Sequence, residues 1–435
     1  MWLLYNTLFF LFALVYLPLF ALKGKFGRGF AARFGTVHPE LLEALAGHRP
    51  VWVHAVSVGE VALAVSLVNR LRERMPGVRF LLTTTTNAGY AVAEKIKNEE
   101  DALTFFPIDF PWSVGVFLDS MNPSMLILLE TEIWPNLLRM LSKKKVPVLI
   151  ANGRISDRAF KRYLFVRFFL KHVFREMEAI SVQDERMRSR FISLGASPDQ
   201  VSVNGNLKYD WEPPRLQDEA VSALKHALRS STQKLLIAGS THEGEEEILF
   251  RTYATLRPIF PQARLLIAPR HLERLASIER AAERAGLRPV RISTASYRSL
   301  AEDSEKDVWL LDQVGVLASL YECASIVFVG GSLVPVGGHN LAEPAYYAKP
   351  ILFGPYVQNF LEMASEFKAG GGAIEVADAG ELRREWEKAL REPESLIAMG
   401  RASRELVRKH QGATQKNVEW VLSMTDSKER SLAKV

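Results

Sequence analysis

Short apolar runs separated by helix-like stretches recur twice along this chain, and that rhythm constrains its fold more than any other feature. The first set lies at 51–56, 80–86, 103–108, 125–129, 148–151, 180–183 and 201–204, with helical spacing at 61–74 and 88–97 between runs. Runs that are apolar throughout, rather than alternating, fit strands covered on both faces. The set therefore predicts a mostly parallel sheet flanked by helices. After Lys208 the pattern breaks into YDWEPPRLQDE, whose paired prolines and mixed charge mark a linker. A second set follows at 234–238, 264–268, 289–292, 308–311, 326–329, 350–353 and 373–376. The expected architecture is α/β, with two doubly wound, Rossmann-like domains facing a cleft and ligands beyond the carboxyl ends of the strands. Expected boundaries are 23–210 for the first domain, 211–232 for the linker, 233–423 for the second domain and 424–435 for a frayed polar tail.

A length of 435 residues suits two such domains, and 48% hydrophobic with 24% charged residues excludes a disordered chain. The single cysteine, Cys323, precludes an internal disulfide and fits a reducing compartment. A net charge of +6 is too small an excess to imply nucleic-acid binding unless it is clustered. One cluster follows residues 1–22, which contain no Lys, Arg, Asp or Glu, and comprises Lys23, Lys25, Arg28 and Arg33. An uncharged stretch of that length followed by basic residues predicts an uncleaved single-pass anchor with the remainder on the cytoplasmic side. A signal peptide fits less well, for want of a basic start and a small-residue cleavage site. The second cluster spans 154–175, where Arg154, Arg158, Lys161, Arg162, Arg167, Lys171 and Arg175 interleave with aromatic residues. That mixture suits an anionic membrane surface; a core helix with a solvated basic face is the alternative, and RNA binding a weaker third.

The loops after the strands hold the candidate chemistry. HAVSVGE follows the first run, so Glu60 opens a helix at a strand's end, as a general base or as an acid favoured by the helix dipole. Glu130 and Glu132 in LLETEIWPN follow a buried run, where a carboxyl needs a partner or its pKa rises. Lys208 in NGNLKYD could meet such a carboxylate or an anionic substrate, or lie on the surface beside the linker. In the second domain, Gly239, Ser240 and Thr241 of GSTHEGEEE could offer N–H groups and hydroxyls to an anion, or Thr241 could cap a helix with an acidic first turn. Arg270 in APRH could pair a phosphate or carboxylate. SLVPVGGHNLAEPA places His339 and Glu343 at a spacing that shares one helical face, and a carboxylate there can hold a ribose diol. Metal chemistry is poorly supported, with no HExxH, no cysteine cluster and nine scattered histidines. No GxGxxG follows the first run, and no GxSxG or Walker A loop occurs.

Taken in order, HAVSVGE, LLETEIWPN, NGRISDR, GNLKYD, GSTHEGEEE, APRH and VGGSLVPVGGHNLAEP closely resemble the 3-deoxy-D-manno-octulosonic acid (Kdo) transferases of lipid A biosynthesis. The resemblance implies a GT-B fold, inverting transfer of Kdo from CMP-Kdo to a lipid A precursor (lipid IVA), and attachment to the cytoplasmic face of the inner membrane. It implies no cofactor, no metal and no nucleic-acid partner. By the same resemblance Glu60 is the proton acceptor, and Glu130 and Lys208 stabilise the transition state. CMP contacts map onto Pro269 and Arg270, onto Val314, Gly315 and Val316, and onto Asn340, Leu341, Ala342 and Glu343. Two positions depart from the family pattern. Val316 stands where an acidic residue is usual, so only backbone contacts can persist there. Ala88 stands where Thr is common, which removes one acceptor-side hydroxyl. Another GT-B transferase using a UDP-sugar on a lipid acceptor, and a non-catalytic membrane-anchored scaffold, are the rival expectations.

Overall fold

The computed structural model describes residues 2–22, 29–210, 222, 225, 234–294 and 307–432, which fall into two compact α/β units. The first comprises Met1–Leu207 with Gly412–Val435, and the second Lys208–Gln411.

The first unit holds seven parallel strands: β1 (Val51–His54), β2 (Phe80–Thr84), β3 (Ala102–Phe105), β4 (Met125–Leu129), β5 (Val148–Gly153), β6 (Ala179–Val182) and β7 (Val201–Val203). Their spatial order is β3-β2-β1-β4-β5-β6-β7. The chain winds outward from β1 and then returns to lay β4 beside it, which makes the β1/β4 edge the topological switch point. Alternate residues of β1 enter different cores. Trp52 packs with Phe106 and Phe117 on one face, and Val51 and Val53 pack with Leu67, Val68 and Leu71 of helix Val58–Arg74 on the other. Burial on both faces is why β4 reads MLILL without a polar residue.

In the second unit the strands are β8 (Lys234–Thr241), β9 (Ala263–Pro269), β10 (Pro289–Arg291), β11 (Val308–Leu310), β12 (Ile326–Val329), β13 (Ile351–Phe353) and β14 (Ala373–Glu375). They are parallel in the order β10-β11-β9-β8-β12-β13-β14, so the switch point lies between β8 and β12.

The structure corrects two expectations about the chain ends. Residues 2–22 form a helix, Trp2–Leu22, yet no helix among the described residues is long and apolar enough to cross a membrane. Trp2, Tyr5, Asn6, Phe9 and Ala13 recur at helical spacing and turn toward the first unit. Tyr5 donates to Asp109 at 2.8 Å, Asn136 Nδ2 donates to Asn6 Oδ1 at 2.7 Å, and the Trp2 ring lies 5.7 Å from that of Phe169. One stripe of this uncharged helix is thus docked on the rest of the first unit. Arg33, expected to flank the anchor, places its guanidinium over the Phe105 ring; Lys23, Lys25 and Arg28 lie outside the described residues. At the other end, 412–423 group with the first unit, and 424–432 continue the helix Ala413–Leu432 instead of fraying. Val418 and Val421 complete the core under β1, and Asn417 accepts from Ser181 at 2.7 Å. The linker expected at 211–232 lies outside the described residues except for 222 and 225.

Candidate active site

At the switch point of the first unit, β1 ends at His54 and Ser57 caps the helix Val58–Arg74. Glu60 folds back on that cap. Its Oε1 accepts from the Ser57 hydroxyl at 2.7 Å and its Oε2 from the Val56 N–H at 2.9 Å. This is the helix-start geometry expected of an acid three residues past the cap, and it holds the carboxylate in one place. The loop is braced from β2: Thr84 and Thr86 both donate to the Val56 carbonyl, each at 3.1 Å. Gly89 lets them approach, since a Cβ there would lie 2.5 Å from the Thr84 hydroxyl.

Glu130 follows β4 directly and sits in the left-handed region at φ 58°, as does Asn152 at the end of the adjacent β5. Non-glycine residues held this way cost about 1–3 kcal/mol each and gather at functional sites. Two residues on, Glu132 accepts from the Trp134 indole at 2.9 Å. Burial, followed by the charge of Glu60, pushes the Glu132 carboxyl up to about 7, and Glu130 adds to the effect. Three carboxyls thus interact at the ends of β1 and β4. Sequence flagged the need of Glu130 and Glu132 for partners; it did not single out Glu132 as the acid that feels the other two. Below them His54 is fully buried, with Nδ1 3.0 Å from the Thr83 hydroxyl and its ring stacked on Phe106. Burial lowers its pKa to about 3, so it is neutral. Lys208 opens the second unit on the turn Leu207–Tyr209, with its ammonium 5.5 Å from the centre of the Phe360 ring.

The β8 loop of the second unit is not the simple anion cradle that GSTHEGEEE suggests. Gly239 sits against the Tyr321 hydroxyl, and the fully buried Thr241 donates its own hydroxyl to Glu246 at 3.0 Å. Thr241 is not the helix cap either; Gly244, at φ 93°, precedes helix Glu245–Leu256. Glu245 turns inward, accepting from the N–H groups of His242, Gly331, Ser332 and Leu333 at 2.7–2.9 Å. A buried carboxylate therefore shapes the loop after β12, a role hidden in an acidic run that reads as solvated.

Arg270 follows Pro269 at the end of β9 and is exposed. Beyond β12, Gly331, Gly337 and Gly338 all have positive φ, and the N–H groups of Gly337 and Gly338 bond the Gly331 carbonyl. His339 and Glu343 do not share a helical face as expected, because helix Ala342–Tyr346 starts three residues past His339. His339 instead meets His242, Nε2 to Nε2, at 2.9 Å. Asn340 Oδ1 accepts from the Ala342 N–H at 3.0 Å. Burial pushes the Glu343 carboxyl up to about 7, with Arg270 opposing. Several positions expected to contact CMP have their side chains in the core: Val316 is 6% exposed, Leu341 1% and Ala342 0%. These can offer a ligand only backbone groups. Gly315 is left-handed at φ 86° and Val314 is 87% exposed. Side chains of Arg270, Asn340 and Glu343 remain for polar recognition.

Residues 28–211 match the family model described as 3-deoxy-D-manno-octulosonic-acid transferase (kdotransferase). The chain is 32% identical over 367 residues to the 3-deoxy-D-manno-octulosonic acid transferase of Haemophilus influenzae, covering 84% of this chain and 85% of that protein. It is also 34% identical over 318 residues to a bifunctional glycosyltransferase/methyltransferase of Fusobacterium nucleatum; the match takes in 73% of this chain but spans about half (49%) of that relative. Among solved structures, the UDP-GlcNAc 2-epimerase of Neisseria meningitidis bound to UDP-GlcNAc aligns at a TM-score of 0.59 with 12% identity, over 86% of this chain and 100% of that one, a likeness of fold alone.

Proposed function

Because the chain belongs to the 3-deoxy-D-manno-octulosonic acid (Kdo) transferase family, we propose that it moves Kdo from CMP-Kdo onto a lipid A precursor, lipid IVA, with inversion at the anomeric carbon. The observation that carries this reading is the gathering of Glu60, Glu130 and Glu132 at the switch point of the first unit. In the reaction Glu60 takes the proton of the acceptor hydroxyl as that oxygen attacks the anomeric carbon from the face opposite CMP. Its bonds from the Ser57 hydroxyl and the Val56 N–H keep it aimed. Glu130 and Lys208 stabilise charge in the transition state. Arg270 holds the phosphate, Glu343 the ribose, and the backbone at Pro269, Gly315, Val316, Leu341 and Ala342 the remainder of CMP. A single phosphate needs less neutralisation than a diphosphate, and no metal or cofactor is invoked.

The protein works at the cytoplasmic face of the inner membrane by docking on it. Supporting this, the outward face of helix Trp2–Leu22 exposes Leu4, Leu8, Leu11 and Val15, and Phe165 and Phe168 are 84% and 64% exposed. Lys161, Arg162, Arg167 and Lys171 on the same segment are exposed as well. Apolar bodies with basic neighbours match an anionic interface at about 1 kcal/mol per basic residue.

Incubation with CMP-Kdo or with UDP-sugars, each with lipid A precursor, tests the transfer. Kdo should move from CMP-Kdo alone. Transfer from a UDP-sugar alone would assign a different donor, and inactivity of the folded protein with all donors would leave a scaffold. Vesicle sedimentation tests the docking. Binding to anionic vesicles should weaken with salt and be lost when Lys161, Arg162, Arg167 and Lys171 are reversed to Glu, with CMP affinity unchanged. Equal binding by the reversed protein would refute it.

A further inference from the structure

Two histidines 97 residues apart in sequence meet at the switch point of the second unit. His242 follows β8, and His339 closes the glycine-rich loop after β12. Their Nε2 atoms are 2.9 Å apart, and the ring planes lie within 9° of parallel with centroids 5.2 Å apart, so the rings meet edge to edge. Contact through these atoms fixes the protons: one Nε2 carries hydrogen and the other accepts it. The pair can take one further proton, on the donor ring's Nδ1, and its internal bond then strengthens because the donor is charged. A second would set two N–H groups head to head. Gly331 admits this arrangement, since a Cβ there would lie 3.1 Å from the His339 ring and 3.3 Å from that of His242.

Two arginines and a third imidazole stand around the pair. Arg270 acts on both rings, and His271 stands edge-on to His242 at 5.5 Å between centroids. Arg274 also reaches His242, although it is bonded to Glu246 through both nitrogens. The nearby acids do little to offset this. Glu245 is spent on four N–H groups, and Glu243 is exposed on the outer side of the turn. Burial and these cations hold the empty pair neutral, with His339 lowered to about 4. An anion arriving beside Arg270 reverses the sign of the field and raises the pair's affinity for a proton. Among the described residues no third ligand joins the pair to make a metal set.

We propose that His242 and His339 form a proton-uptake pair in the donor-phosphate site: binding of a phosphodiester anion beside Arg270 draws one proton onto the pair, and the shared cation then holds the phosphate. The inference rests on the donor reading above and goes beyond it. When the anomeric C–O bond breaks, its electron pair stays on the phosphate oxygen, and the phosphate goes from one negative charge to two. A cation formed only when phosphate is present offsets that added charge, and the empty site is spared a buried ion. Both histidines are positioning residues in this scheme.

The test is calorimetry of the full chain with the 5′-methyl phosphate ester of cytidine, which carries one fixed negative charge and no proton that titrates near neutrality. Runs in buffers of different ionisation enthalpy count the protons. Close to one proton should be taken up per ligand at pH 6, and affinity should fall up to tenfold per pH unit above the free pair's pKa. His242→Gln and His339→Gln should bring the count near zero while Arg270 still binds the ester, and His271→Gln should leave it unchanged. Binding without proton uptake, or uptake that persists in both variants, overturns the pair and leaves the donor reading standing. ¹⁵N-histidine spectra of the unmodified protein with sulfate give the second arm, independent of any variant's folding. If sulfate protonates the pair but the ester does not bind, the donor reading falls and the pair remains an anion site. If neither anion alters either imidazole, the inference fails.

Discussion

At the β1/β4 switch point the side chains are acids, Glu60, Glu130 and Glu132, with a neutral His54 beneath them. The matching β8/β12 point carries His242, His339 and Arg270, with Glu343 as the acid that Arg270 influences. Each unit reverses its strand order beside its first strand, at β4 in one and at β12 in the other, although the second unit also inserts β11 between β9 and β10. The reversal therefore supplies position, while loop residues supply charge, and the charges divide the chemistry. A cluster of carboxyls accepts protons and repels anions, whereas a cluster of imidazoles and a guanidinium attracts them.

The contrast breaks most visibly at Glu60. Glu60→Gln keeps size and the cap bond from Val56 but removes proton-accepting power, so turnover should fall roughly 10²-fold or more with CMP affinity unchanged. Initial rates beside calorimetry check this, and near-normal transfer by the folded variant would remove the acid cluster from the chemistry. Arg270→Ala should weaken CMP binding by about 1.5–3 kcal/mol, as expected for a charge-assisted hydrogen bond, and leave the pH profile of the acid cluster in place. Unchanged CMP affinity in both this variant and Glu343→Ala would move the donor site elsewhere.

The smallest effect belongs to Glu132. Its folded pKa of about 7 lies above the ordinary 4.5, so the folded state holds the proton more tightly than the unfolded chain. Stability is then fully present below about 4.5 and is lost as pH rises toward 7. Glu132→Gln, which never ionises, should be more stable than the parent at pH 8, by about 1–2 kcal/mol once solvent screening of this half-buried carboxyl reduces the full ~3 kcal/mol of the shift, and indistinguishable at pH 4. Denaturant melts at the two pH values decide it, and equal stability at pH 8 would mean the three carboxyls do not share a field.

Sequence made the sheets legible because strands buried on both faces leave continuous apolar runs, as MLILL does in β4. It also placed Glu60 and Glu130 at strand ends. What it could not show were pairings made by distant segments. His242 and His339 are brought together by the crossover that sets β12 beside β8, and neither carries a local signal of the other. Glu245 and Glu246 lie in a run of acids that reads as a helix's first turn, yet both turn inward, Glu245 toward N–H groups 86 to 88 residues away and Glu246 toward Thr241 and Arg274. The first helix misled for a related reason. Its uncharged composition reads as a span, whereas Tyr5 and Asn6 find partners in Asp109 and Asn136.

The closing helix Ala413–Leu432 has a consequence for how the molecule is made. The second unit is one unbroken stretch, Lys208–Gln411, inserted into the first, which is assembled from both ends of the chain. A ribosome delivers residues in order, so the sheet of the first unit emerges early and waits while some two hundred residues of another unit are synthesised. Throughout that interval the face bearing Val51, Val53 and Leu67 lacks Val418 and Val421. The inserted unit can complete itself as it leaves the exit tunnel, but the first unit closes only once the helix Ala413–Leu432 has followed. A premature stop that spares every proposed site residue would still leave the first unit unfinished.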